Sequence, residues 1–476
     1  MIPMTLAEVA SATRGTVRHA DPEALVTADP VIDSRQVSPG SLFVAVPGEH
    51  VDGHDFAPAA VAAGATAVLS EHELDEPCVV VGSSVQALGA LAAAALHRMP
   101  ETVVVGVTGS SGKTSTKDLM AAVLGAPGPT VAATGSFNNE LGVPLTVLRA
   151  DGDTRFLVLE MGARGIGHIA QLCAVAQPRI GVVLNVGSAH AGEFGGLDAV
   201  EQAKGELVEA LPDASEGGAA VLNADDERVR RMASRTTASV VTFGARPEAA
   251  VRADDVSLDE LGRPRFTLVT DLRGRSVRLA VSLRLVGEHH VSNALAAAAA
   301  ALAAGVAAEQ VASSLSAASA ASRWRMEVVE RRDGVTVVND AYNANPDSMR
   351  AALKALVALG RPSTTHPSGR RTWAVLGEML ELGEGSVREH DALGRLAVRL
   401  NVSRLVAVGP GARPVHTGAV QEGSWGEESL WVPDADAAFE RLQSELQAGD
   451  VVLVKSSNGI GLRFLGDRLA AEVPSP

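Results

Sequence analysis

The chain has 476 residues, 46% of them hydrophobic and 20% charged, so each of about three domains can bury a core and gross disorder is excluded. A net charge of −15 argues against a nucleic-acid partner, and any anionic substrate must be held by local positive groups. Two cysteines, Cys78 and Cys173, read as buried thiols of a reducing compartment, and the first residues (MIPMTLAEVASATRG) carry no basic-then-apolar leader; together they predict a cytoplasmic protein.

Residues 1–101 are expected to form a small α/β module. Strands are predicted at Ser41–Val46, Thr66–Leu69 and Cys78–Val81, with helices at Asp55–Ala63 and Val85–Met99. Two polar turns, Asp33–Gly40 and Gly48–Phe56, suit the gripping of a polar ligand. Over residues 102–319 strands alternate with helices, at Val103, Phe156–Glu160, Ile180–Asn185, Ala219–Asn223 and Val240–Phe243. That alternation predicts a doubly wound, mainly parallel sheet of the phosphate-loop type, with ligands at the carboxyl ends of its strands. Short alternating runs between Val251 and Leu285 predict an antiparallel addition, and a helix follows near His289. The run Ala294–Ala308 is mostly alanine and stops short of bilayer length, so it reads as a packed core helix and no membrane insertion is expected. After a break at Ser319–Trp324, residues 320–476 predict a Rossmann-like α/β unit with strands at Val335–Asn339, Trp373–Leu376, Leu405–Val408 and Val451–Val454. No GxGxxG is present to suggest a dinucleotide.

The stretch Val103–Thr116, VVVGVTGSSGKTST, organises the rest. Strand, tight turn and helix follow one another, and Gly109 and Gly112 free the backbone N–H groups to curl around an anion at a helix N-terminus. Thr108, Gly109, Ser110, Ser111, Gly112, Lys113 and Thr114 therefore predict a nucleoside triphosphate site, with Lys113 on the β- and γ-phosphates and the Thr114 hydroxyl on Mg²⁺. Val107 stands where the general loop has glycine, so the fit is to the tighter form Thr-Gly-x-x-Gly-Lys-Thr.

Three more positions bear on that site. Glu160 ends the strand FLVLE, and His190 follows the strand and turn VVLNVGSAH; with Thr114 they offer hard oxygens and one nitrogen to one or two Mg²⁺ ions. Lys204, in the helix AVEQAKGELVEAL, reads from its neighbours alone as a residue of a solvated face.

These pieces, with the runs TGSFNNELGVPLT (134–146), EMGA (160–163), AKGEL (203–207), HHVSNALAA (289–297), DAYNANPDSM (340–349) and GEMLELG (377–383), resemble the Mur ligases over nearly the whole chain. The resemblance implies an ATP-dependent ligase that turns a peptide's carboxylate into an acyl phosphate for attack by an amine. It implies UDP-N-acetylmuramoyl-tripeptide and D-alanyl-D-alanine as substrates, and catalytic roles for Lys113, Glu160, His190 and Lys204. In similar enzymes the lysine at the position of Lys204 is carbamylated by CO₂ and ligates a second Mg²⁺. Asn293 is expected at the adenine, Asp340 at the ribose and Arg325 near the phosphates, while Ser34 and Arg35 are expected at the uridine diphosphate. Asn138, Asn139, Tyr342, Asn343 and Asn345 are expected near the tripeptide and incoming dipeptide. A monomer is expected.

Departures from the family pattern are His290, where many members carry Asn, KSSN (455–458) in place of Lys-Gly-Ser-Arg, and SRWRM (322–326) in place of Gly-Arg-Met. The last leaves Arg323 as an alternative to Arg325, which adjacency to Met326 favours. Two other readings compete: the sister ligase that adds a third-position diamino acid, which would need an Asp-Asn-Pro-Arg loop that is absent, and a phosphate-loop switch that releases phosphate without forming a bond.

Overall fold

The computed structural model describes residues 1–48, 51–187, 196–272, 274–424 and 426–471; His190 lies outside the described residues. Its architecture is mixed α/β in three successive units. The first holds a four-stranded sheet in the order Thr16–Arg18, Cys78–Val80, Ala67–Ser70, Leu42–Val44, with the helix Ser84–His97 on one face. Cys78 and Cys173 are both buried free thiols.

The second unit is a nine-stranded sheet. From one edge it runs Thr130–Ala132, Phe156–Glu160, Val103–Thr108, Ile180–Val183, Ala219–Asn223, Ser239–Gly244, all parallel, then Val251–Leu258, Pro264–Leu272 and Arg275–Ser282. The first strand of this addition still pairs parallel with Ser239–Gly244, and only the next two pairings are antiparallel. Near-continuous Val, Leu and Ile runs explain the parallel strands, which are covered on both faces and so need no polar alternation.

The alanine-rich helix spans His290–Ala303 and stops at Gly305, whose φ of +86° a helix cannot accommodate; a separate helix, Ala308–Ala317, follows. The expected single run is therefore two helices. Ala294 and Ala296 to Ala301 are fully buried, and their small side chains let this helix lie close against Lys113–Gly125. That approach brings Asn293 to the turn at Gly112.

The third unit carries a six-stranded sheet ordered Glu327–Glu330, Thr336–Asn339, Val451–Lys455, Thr372–Leu376, Arg404–Val408, Ser429–Val432, parallel except for its first strand. Trp373, fully buried, anchors its core. Among the described residues no helix is long and apolar enough to cross a membrane.

Candidate active site

Parallel register brings three strand ends to one level. Val107 pairs with Glu160 on one side, and Thr108 with Val183 on the other, so Glu160 and Asn185 flank the turn Gly109–Gly112. Gly112 has φ +82°, and a Cβ there would lie 2.6 Å from Asn293 Oδ1. Asn185 fixes the loop from the side: its Oδ1 accepts the Ser111 N–H at 2.9 Å and its Nδ2 donates to the Ser111 carbonyl at 3.2 Å. Its own carbonyl accepts the Ser110 N–H at 3.1 Å.

Both oxygens of the buried Glu160 are used. Oε2 accepts from Thr114 Oγ1 at 2.9 Å and Oε1 from Asn138 Nδ2 at 2.9 Å. Ser136 Oγ stands 3.3 Å from Thr114 Oγ1, completing a knot of hard oxygens at the first turn of the helix, the donor type that Mg²⁺ shares with a substrate's phosphates. Among the described residues no three acidic, His or Cys side chains gather closely enough to hold a metal by themselves.

Two lysines face this knot, one half-buried and one buried. Lys113 Nζ curls back to donate to the Gly109 carbonyl at 2.8 Å, and burial lowers its pKa against the opposing pull of Glu160. Lys204 is 5% exposed, and among the described residues its Nζ makes no hydrogen bond or ion pair. Burial, and then the charge of Lys113, push it down to about 7. The solvated-face reading of Lys204 is thus corrected: the helix Leu197–Glu209 buries Ala203, Lys204, Gly205, Glu206 and Leu207 together. Burial thus favours the neutral, nucleophilic form of this amine.

The third unit closes the site from the opposite side. Trp324 and Met326, at φ +57° and +51°, bracket Arg325 in left-handed backbone. The Met326 N–H donates to Asp340 Oδ1 at 3.0 Å, and Lys455 Nζ pairs with Asp340 Oδ2 at 2.6 Å and donates to the Asn343 carbonyl at 2.9 Å. Arg325 lies 4.4 Å over the Tyr342 ring and donates from Nη2 to Ser136 Oγ at 3.1 Å, while its buried Nε has no partner among the described residues. Arg323 instead pairs with Asp467 at 3.1 Å, away from the cleft, so Arg325 is the arginine that faces the knot. Trp324 stacks toward Tyr342 with ring centroids 6.4 Å apart, and the guanidiniums of Arg323 and Arg463 sit 4.7 and 5.4 Å from its ring.

The glycine turn, the Glu160 knot and the Arg325 face line one cavity of about 750 Å³. Gly109 to Thr114, Asn138, Asn139, Glu160, Lys204, Asn293, Arg325, Asp340, Tyr342, Asn343 and Asn345 contribute to it, whereas Thr108 lies just behind, in the strand. Asn345 caps the helix Pro346–Leu359 and reaches the Ser110 carbonyl at 3.4 Å. Asn139 spends its side-chain oxygen on the Gly142 N–H, 2.9 Å away, starting its own helix. His289 and His290 stack with centroids 4.3 Å apart, and burial keeps both neutral, His289 at about 4 and His290 well below its ordinary value. Ser34 and Arg35 are not among the lining residues, although Ile32 beside them is. Arg35 extends into solvent and pairs with Asp33 at 2.7 Å, which holds that carboxyl at about 2. Ser136 and Lys455 lie in runs set against the family pattern, TGSFNNELGVPLT and KSSN, but neither run gives its residue a role, because each residue is defined by partners distant along the chain.

Family models match three segments: the Mur ligase family catalytic domain over residues 31–100, the Mur ligase middle domain over 107–301, and the Mur ligase glutamate ligase domain over 324–458. The chain belongs to the Mur ligase family. It is 49% identical to the UDP-N-acetylmuramoyl-tripeptide--D-alanyl-D-alanine ligase of Mycobacterium tuberculosis, an alignment covering 99% of this chain and 98% of that one. A crystal structure of MurF from Acinetobacter baumannii superposes with a TM-score of 0.86 at 30% identity, with 99% of both chains covered. MurF from Thermotoga maritima in complex with ADP superposes at 0.78 with 28% identity, covering 94% of this chain and 97% of that one. In this Mur ligase the glycine turn, the Glu160 knot and the Arg325 face come from two different family segments and meet across a single cleft.

Proposed function

We propose that this Mur ligase joins D-alanyl-D-alanine to UDP-N-acetylmuramoyl-tripeptide at the expense of ATP, the last cytoplasmic step in making the peptidoglycan precursor for cell-wall biogenesis. The observation that carries the reading is the full-length 49% identity to relatives of that name. Residues 1–101 are read as the module that takes the uridine diphosphate end through Ser34 and Arg35, 102–319 as the ATP unit and 320–476 as the ligase unit.

A carboxylate is a poor electrophile. Its oxygen attacks the γ-phosphorus of ATP, ADP leaves, and the resulting acyl phosphate is attacked at carbon by the dipeptide's amino nitrogen. The tetrahedral intermediate expels phosphate and the nitrogen loses its proton to solvent. Lys113, in exchanging the Gly109 carbonyl for phosphate oxygens, balances charge as it develops. Holding both reactants at attack distance supplies effective molarities of roughly 10⁵–10⁸ M. The hard-oxygen knot fits a Mg²⁺ ion, with Thr114, Glu160 and His190 as the ligand set; when bound, it neutralises charge on the phosphates. Lys204 fits carbamylation, because a buried amine with no partner among the described residues and a pKa lowered to about 7 can add CO₂ and become a further oxygen ligand. Asn293 and Asp340 line the cavity where the adenine and ribose are proposed.

The test is to mix the protein with ATP, Mg²⁺, UDP-N-acetylmuramoyl-tripeptide and D-alanyl-D-alanine and to look by mass spectrometry for the pentapeptide. Phosphate release without that product would replace the ligase by the nucleotide-switch reading.

A further inference from the structure

One turn beyond Lys113, the same helix carries a lysine that the chemistry above does not use. Lys117 is 3% exposed; its ammonium donates to the carbonyls of Ala133 at 2.8 Å and Gly135 at 3.3 Å and forms an ion pair with Asp118 Oδ1 at 2.7 Å. Burying an ammonium carries a desolvation penalty of several kcal/mol, and apolar replacements of buried ion pairs are often neutral or stabilising, so stability alone does not account for a charge here. What the ammonium grips is backbone leaving the strand Thr130–Ala132, where the last tie to the sheet is the Ala133 N–H on the Val158 carbonyl at 3.3 Å. Residues 133–136 follow the strand Thr130–Ala132, pass through Gly135 at φ +57°, and end at Ser136, the hydroxyl that meets both Thr114 and Arg325.

Asp118 makes the second half of the connection. Its Oδ2 accepts the Ser322 N–H at 3.1 Å, on the segment that leads into the third unit, three residues before Arg325. The pair therefore holds both partners of the Ser136–Arg325 contact, one through each charge.

We propose that Lys117 and Asp118 are a positioning pair: the ammonium sets Ser136 over Thr114, and the carboxylate sets the segment that delivers Arg325 to Ser136. Docking of the third unit is thereby made conditional on an intact loop around the nucleotide. The inference rests on the ligase reading, and pentapeptide formation by the unaltered enzyme tests that reading separately.

The experiment is a double-mutant cycle on product formation. Lys117→Met keeps the length and apolar stem and removes the donors; it is expected to lower kcat by about tenfold to a hundredfold, the scale of a small misplacement of reacting groups, with the KM for ATP changed far less. Ser136→Ala alone is expected to lower kcat as well. If Lys117 acts through Ser136, the double variant is no slower than the worse single variant, whereas a merely structural lysine gives additive losses. Additive losses, or a kcat for Lys117→Met within twofold of the unaltered enzyme, overturn the proposal. Should Lys117→Met not fold, Asp118→Ala enters the same cycle, and failure of both to fold assigns the pair to folding and equally overturns it.

Discussion

The two units that face each other across the cleft both bring lysines to it, from helices in the second unit and from a strand end in the third, and treat them in opposite ways. In the third unit Lys455 is matched: Asp340 takes its charge at 2.6 Å, and two carbonyls take its remaining hydrogens. In the second unit Lys113 has one carbonyl of its own loop, and Lys204 has no partner among the described residues. Matched charge is scaffold, whereas unmatched buried charge is stored capacity for a ligand. The difference locates the chemistry on the second unit and gives the third the task of presenting Arg325.

The comparison breaks most visibly at Lys113. Lys113→Ala is expected to lower pentapeptide formation by about 10²–10³-fold while the thermal midpoint stays near that of the unaltered enzyme; normal turnover would remove the phosphate-loop assignment. Next comes Lys455→Met, which strands Asp340 without its counter-charge and is expected to cost about 3–5 kcal/mol of stability, measured by denaturant unfolding. Adding Asp340→Asn should recover part of that loss.

Lys204→Met is expected to change stability in the opposite direction. The amine has a folded pKa of about 7 against an ordinary value of 10.5, so between those values the unfolded state binds more protons and stability of the unaltered protein rises with pH. Below about 7 the burial penalty is fully present. The variant is therefore expected to be the more stable at pH 7, with the gap in thermal midpoint closing toward pH 10; a gap independent of pH would contradict the neutral-amine assignment. Turnover by Lys204→Ala should fall and be partly restored by short carboxylic acids. The smallest effect is expected at the rim: Arg35→Ala should raise the KM for the uridine precursor a few-fold and leave the KM for ATP unchanged, because Arg35 stands outside the cavity.

What could be read from the sequence follows the same division. The glycine turn is legible because its whole mechanism is contiguous, from Val103 to Thr114, and strand ends such as Glu160 are legible because period and length fix them. Lys204 was misleading: alternation of charged and apolar neighbours suggests a wet face, and only packing of the helix against the sheet reveals a dry one. That Lys455 pairs with Asp340, 115 residues away in the chain, is not written in either local run. The edge strands Glu327–Glu330 and Ser429–Val432 give no clear signal for a related reason, since strands of four residues are too short to carry a long apolar run.

Trp324 adds a practical consequence. Its indole is flanked by Arg323 and Arg463 and leans on Tyr342, the ring beneath Arg325. It is one of only four tryptophans. The molecule thus carries its own optical probe at the joint between its second and third units, and the colour and brightness of its emission should report any change there when ATP is added, without any dye.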